Sequence, residues 1–158
     1  MIVLDSCIWI HAFLKTDDKC VTVLKKVIKG DLKPVVSPYI AREVINNILP
    51  EGKRKGYDID KLQTAIWSIF REPFVKTTFT PLDFQAMVLE EVRSRPEYCA
   101  LATALGIEPK DAPIVVLAYQ YAIPLATMDL RSLLNVREKV TRFIGVDIIS
   151  TDEVLAIY

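Results

Sequence analysis

The sequence predicts an α/β fold, a three-layer α/β/α sandwich around a mostly parallel sheet. Two observations carry that expectation. Short apolar runs, Met1–Leu4, Leu32–Val36 and Leu125–Thr127 among them, alternate with segments whose apolar residues recur at helical spacing. Helix-start residues follow directly on the runs, as Asp5-Ser6 after the first and Ser37-Pro38 after the second. No repeat, linker or low-complexity segment divides the 158 residues, so one domain over 1–158 is expected, large enough for a single core.

The elements follow in order. Residues 1–4 read as a short buried strand, with Asp5 or Ser6 capping a helix to about Leu14. Asp17 or Asp18 starts a second helix, with Val21, Leu24, Val27 and Ile28 at helical spacing and Gly30 as its stop. After the strand Leu32–Val36, a helix is expected over Pro38–Leu49. At 100° per residue it places Ile40, Ala41, Val44, Ile45, Ile48 and Leu49 on one arc, with Glu43 and Asn47 on its border. Pro50–Gly56 reads as a basic loop, Ile59–Phe70 as a helix, and Phe74–Lys76 as a short strand. Thr80-Pro81 opens a helix expected to reach Arg93, and Glu97–Leu105 reads as a helix stopped by Gly106.

Glu108–Pro113 is a helix entrance, because both prolines are tolerable only in or before a first turn. The body Ile114–Ala122 has Gln120 as its one strongly polar side chain, which predicts a central helix. Strand Leu125–Thr127, a short helix near Leu130–Leu134, strand Phe143–Ile149 and a helix from Asp152 complete the count. The apolar stretch Ala112–Met128 is interrupted by Pro113, Gln120 and Pro124 and falls short of the roughly 20 residues of a membrane span, so no membrane segment is expected.

Composition narrows the function. Lys+Arg and Asp+Glu balance at 20 each, which argues against a non-specific DNA coater. The three cysteines, Cys7, Cys20 and Cys99, form no CxxC pair, and the start MIVLDS has no basic leader region, so a reducing cytoplasm is expected. His11 stands alone among apolar neighbours and cannot form a histidine cluster.

Four acids are the candidate site: Asp5, Glu43, Asp111 and Asp129. Asp5, Asp111 and Asp129 precede helices, where Asp is a favoured N-cap worth about 1 kcal/mol, so each alone has an ordinary explanation. Together they converge on the C-terminal edge of a parallel sheet, where open α/β folds place their sites. Two carboxylates ~5 Å apart repel by roughly 3 kcal/mol at an effective dielectric of ~20, a cost that a hard divalent cation relieves.

The segments LDSCIWI, Glu43 in the helix after the second strand, KDAPIVVLA and LATMD, in that order, resemble the PIN domain, a metal-dependent ribonuclease family. The likeness covers essentially the whole chain and is nearest to the single-domain VapC-type toxins. It implies that Asp5, Glu43, Asp111 and Asp129 are metal-binding and catalytic, with Ser6 and Thr127 supporting them. Cys7 departs from the Asn often found after the first acid, and Arg131 stands where some members carry a further Asp. The resemblance further implies Mg²⁺ or Mn²⁺ as cofactor, RNA as substrate, a small antitoxin as partner and a homodimer. Apolar Trp9, Phe13, Trp67 and Phe70 are the candidates for a dimer surface. Arg131, Lys53, Arg54 and Lys55 are candidate substrate contacts, set against the alternative of a solvated surface.

Other readings stay open. A PIN-like module that binds RNA or protein without cutting would lack metal affinity at the four acids. An RNA-processing nuclease shares the same residues. A phosphotransferase with Asp5 as nucleophile would want a second Asp at position 7, which is Cys.

Overall fold

The computed structural model describes residues 1–158. Five strands form one sheet: β1 (Ile2–Leu4), β2 (Pro34–Val36), β3 (Lys76–Thr77), β4 (Leu125–Thr127) and β5 (Ile148–Ser150). Every adjacent pair is parallel, in the order β3-β2-β1-β4-β5, and Val3 stands opposite both Val35 and Leu125. Parallel neighbours need crossovers, which the ten helices supply. Strands β1, β2 and β4 are wholly buried, as their unbroken apolar runs require, whereas the edge strand β3 is exposed. The fold is therefore the expected three-layer α/β/α sandwich.

Helix α1 (Ser6–Phe13) packs on α2 (Asp18–Ile28) and α3 (Pro38–Arg54), while α8 (Ala112–Tyr121) packs on β1 and β4. Between α3 and α8 the chain forms α4 (Ile59–Phe70), α5 (Pro81–Ala86), α6 (Leu89–Arg93) and α7 (Pro96–Leu105). It closes with a 3-10 turn at Leu134–Val136, α9 (Arg137–Ile144) and α10 (Thr151–Ile157), which packs on α2. From β1 the chain moves out to β2 and β3, then returns to the other side of β1 for β4 and β5. That reversal puts the topological switch point between the C-terminal ends of β1 and β4, directly before Asp5 and two residues before Asp129.

Several boundaries differ from the sequence expectation, each for a physical reason. Helix α3 does not stop at Leu49; it runs through Pro50 to Arg54, so the expected basic loop is mostly helix. At Gly52 a Cβ would lie 2.6 Å from Leu62 Cδ2, so the missing side chain leaves room for Leu62 where the extended α3 packs on α4. The helix expected from Thr80 to Arg93 breaks at Met87 and Val88, both extended, into α5 and α6. Phe143 belongs to α9 and is exposed, because Gly145 at φ +72° ends that helix and β5 starts only at Ile148. The third strand sits at Lys76–Thr77, two residues late, and the helix near Leu130–Leu134 is a turn leading into the 3-10 segment. In α2 the buried face is Cys20, Val23 and Val27, and Ile28 is half exposed.

The proposed dimer aromatics are also corrected. Trp9, Phe13 and Phe70 are buried inside the fold, with Trp9 edge-on to Phe70 at 5.2 Å and stacked on Phe13 at 6.3 Å. Trp67, half-buried, meets Phe84 edge-on at 4.8 Å. The apolar surface of Trp9, Phe13 and Phe70 is consumed within the chain, a distinction that helical periodicity alone does not make, while Trp67 still lines an open cleft with Phe79 and Phe84. No helix is long and apolar enough to cross a membrane.

Candidate functional site

Asp5, Glu43, Asp111 and Asp129 line one cavity of about 360 Å³, together with Ser6, Cys7, His11, Lys110 and Met128. Asp5 arrives at the end of β1, Glu43 from the second turn of α3, Asp111 at the entrance of α8, and Asp129 two residues past β4. Asp5, Glu43 and Asp111 are buried, and Asp129 is half-buried. Glu43 is thus not the solvated border residue that its place on the α3 arc suggests.

Hydrogen bonds connect the group. Ser6 Oγ donates toward Glu43 Oε2 at 2.5 Å and toward Asp5 Oδ1 at 3.2 Å, so one hydroxyl serves two carboxylates. Thr127 Oγ1 donates to Asp5 Oδ2 at 2.6 Å, and the Cys7 thiol donates to the same oxygen at 3.2 Å. Thr127 Oγ1 in turn accepts the backbone N–H of Asp129 at 3.0 Å. Ser6 and Thr127 thus hold the Asp5 carboxylate by hydrogen bonds, and Cys7 makes a hydrogen bond of its own to it.

Asp5 and Asp111 both occupy N-cap positions, yet neither side chain caps its helix. Asp111 Oδ2 accepts from Ser132 Oγ at 2.8 Å, leaving Oδ1 unclaimed. Asp129 does follow the ordinary reading in part: Oδ1 accepts the backbone N–H groups of Arg131 and Ser132, both at 2.9 Å, and Oδ2 is unclaimed.

Burial pushes the Asp111 carboxyl up to about 6; the Ser132 hydrogen bond and Lys110 oppose this, and the charges of Asp5 and Asp129 reinforce it. Burial also raises Glu43, with the Ser6 hydrogen bond pulling the other way, Asp5 adding to the rise and Arg93 opposing it. The Cys7 thiol is raised well above its ordinary value, first by burial and then by the adjacent Asp5 charge. It is a neutral donor here.

The cationic lining is not the one the sequence suggested. Lys53 and Arg54 lie in the last turns of α3, with Lys55 just beyond, about 15 Å along the axis from Glu43 at 1.5 Å per residue. Arg54 pairs with Glu51. The Arg131 side chain is exposed and does not line the cavity. Lys110 is the cation that lines it instead, with the His11 imidazole on the same wall. Lys110 pairs with Glu108 at 3.0 Å, and its place beside Asp111 in KDAP was the available signal. Arg93, Tyr39 and Ser132 were also missed. Arg93 Nη2 meets Glu43 Oε1 at 2.9 Å across fifty positions of sequence, for which no local pattern exists.

No group of three or more His, Cys, Asp or Glu side chains stands at ion-cage spacing, and Asp5 and Glu43 accept hydrogen bonds from protein donors. The donor chemistry nevertheless fits a hard cation: four carboxylates on one cavity, two of their oxygens unclaimed, and the one lining thiol held protonated. No protein-family model matches this chain, and no curated protein matches it.

Proposed function

We propose that the protein is a metal-dependent endoribonuclease of the PIN type, hydrolysing RNA phosphodiesters with Mg²⁺ or Mn²⁺. The observation that carries the reading is the cavity at the sheet's switch point, lined by four carboxylates from four separate segments, of which Asp5 and Asp111 forgo capping. Caps alone give no reason for such convergence.

Asp5, Glu43, Asp111 and Asp129 would hold the cation. When bound, a divalent cation would polarise a phosphoryl oxygen, acidify a water and steady the leaving oxygen. The chain's own residues supply the rest. Ser6 and Thr127 fix the rotamer of Asp5, and Ser132 fixes that of Asp111. Lys110 brings an ammonium to an otherwise acidic wall, where it would meet a non-bridging phosphate oxygen. The acidic lining itself would repel a phosphodiester, so substrate should enter only after the charge is neutralised.

The role as a toxin with a small antitoxin, a homodimeric state and a cytoplasmic location extend this reading on the resemblance alone. A short adjacent gene encoding a DNA-binding N-terminus would support them. The test of the core reading is Mn²⁺ titration by calorimetry, alongside cleavage of a single-stranded RNA panel with and without chelator. Saturable Mn²⁺ binding with chelator-sensitive cleavage is expected, and the absence of any Mn²⁺ binding would overturn it. One observation favours a non-cutting RNA-binding module: both Glu43 oxygens are engaged by Ser6 and Arg93. RNA retained without cleavage or metal dependence would select that reading.

A further inference from the structure

Glu43 is almost wholly buried, and an isolated buried carboxylate cannot stay ionised cheaply. Its charge is met by one side chain, Arg93, at the end of α6. That guanidinium is forked over three partners: Nη2 to Glu43 Oε1 at 2.9 Å, Nε to Tyr39 Oη at 2.9 Å, and Nη1 to Glu90 at 3.3 Å. Tyr39 Oη then donates to the carbonyl of Lys110 at 2.8 Å, one residue before Asp111. The interruption of the helix at Met87 and Val88 lets α6 leave the line of α5 and reach α3 and α8. One arginine therefore ties the segment carrying Glu43 to the segment carrying Asp111.

We propose that Arg93 sets the cation affinity of the cavity, its guanidinium serving Glu43 as a built-in counter-ion that an incoming cation must displace. The proposal rests on reading the cavity as a cation site. Arg93 is a positioning residue in this scheme, since it does not line the cavity itself. The geometry gives it somewhere to go. A quarter of its side chain is exposed, and its guanidinium carbon lies 5.8 Å from the Tyr39 ring centroid, inside cation–π reach. Glu90, at 82% side-chain exposure, offers a second anionic contact on the solvent side. Once Glu43 turns to a cation, the guanidinium can remain on Tyr39 and Glu90. A dication beside an arginine is repelled by it, so the resting ion pair weakens cation binding while it keeps Glu43 charged and in place.

The test is calorimetric titration of Mn²⁺ into the full chain, the wild type against Arg93→Gln and Arg93→Lys, at pH 8 and low salt. Removing the positive charge should tighten Mn²⁺ binding on the order of tenfold, even after some loss of positioning. Arg93→Lys, which retains the charge, should stay close to wild type. A residue that only braced the fold would weaken binding in both variants. A folded Arg93→Gln with unchanged or weaker affinity overturns the proposal. A second measurement needs no variant: the Arg93 Nε–H resonance in the wild type should shift on saturation with Mg²⁺, and an unmoved resonance overturns displacement. The two readings fail differently. Equal Mn²⁺ binding by wild type and Arg93→Gln removes the role of Arg93 and leaves the site, whereas no binding by either removes both.

Discussion

Aspartates begin helices in two kinds of place in this protein, and they behave oppositely. Away from the cavity, Asp17 and Asp58 accept the backbone N–H groups of Cys20 and Lys61, at 2.9 and 3.1 Å, and so cap α2 and α4. At the cavity, Asp5 and Asp111 hold the same positional role before α1 and α8 but turn away from the backbone. Asp5 faces Thr127 and Cys7, and Asp111 faces Ser132. Titration follows the geometry. The Cys20 backbone N–H holds Asp17 below its ordinary value, while burial holds Asp111 above its own, at about 6. Residue type and helix position are shared, so the difference belongs to the environment. A carboxylate that forgoes a cap and accepts burial is stabilised by something other than local structure.

The largest effect that would sharpen the contrast is on cation binding. Asp5→Asn or Asp111→Asn should weaken Mn²⁺ binding on the order of 100-fold, because one full negative charge leaves a buried oxygen cluster. RNA cleavage should fall at least as far. Asp17→Asn and Asp58→Asn should leave both unchanged. Undiminished Mn²⁺ binding by a folded Asp111→Asn would erase the distinction between the two classes. Calorimetry reads binding and gel-resolved cleavage reads the reaction.

The second effect is on stability in the absence of metal. Asp111 titrates near 6 in the folded chain and near 3.9 when unfolded, so the folded state holds the proton more tightly between those values. Its contribution to stability therefore falls as pH rises from about 4 to about 6 and stays low above that. Asp111→Asn removes the penalty and can still accept from Ser132. At pH 7 the metal-free variant should be more stable than wild type by about 1–3 kcal/mol, and the gap should close toward pH 4. Thermal melts across that range measure it. A variant less stable than wild type at pH 7 would show that Asp111 has a stabilising role as an anion. Asp17 carries the opposite sign, its contribution being present at neutral pH and lost as pH falls through its lowered value.

These contrasts also mark what the sequence could disclose. Strands and caps were legible because they rest on neighbours: Ser37-Pro38 starts α3, Asp17 starts α2, and Gly106 at φ +74° ends α7. The four acids were legible as a set through their order and spacing. The partners that hold them were not. Arg93 and Ser132 reach Glu43 and Asp111 through the tertiary fold, and the contact of Gly52 with Leu62, past Pro50 in α3, is likewise tertiary. The basic run Lys53–Lys55 is prominent in sequence by its density, whereas the single lysine beside Asp111 lines the cavity. Nor does the cap preference in sequence tell Asp17 from Asp111; only the surroundings do.

A third effect is smaller and lies outside the cavity. Asp58→Ala should cost about 1 kcal/mol of stability, since the Lys61 N–H loses its acceptor at the start of α4. Cleavage per folded molecule should not change. Chemical denaturation gives the stability, and a matched loss of Mn²⁺ affinity would mean that α4 is coupled to the site after all.

The smallest expected effect separates charge from capping at Asp17. Asn caps a helix about as well as Asp, so Asp17→Asn should shift stability by no more than a few tenths of a kcal/mol at neutral pH. What it should remove is the pH dependence. At low pH the unfolded chain takes up a proton at Asp17 that the folded chain resists, and this lowered value makes Asp17 a source of acid lability. Asn has no such proton to take up. Melts of Asp17→Asn and wild type should therefore coincide at pH 7 and diverge below about pH 4, with the variant the less acid-sensitive of the two. Coincidence at every pH would show that the Cys20 N–H bond at 2.9 Å does not distinguish the charged from the neutral acid, and the opposed titration of Asp17 and Asp111 would lose half its support.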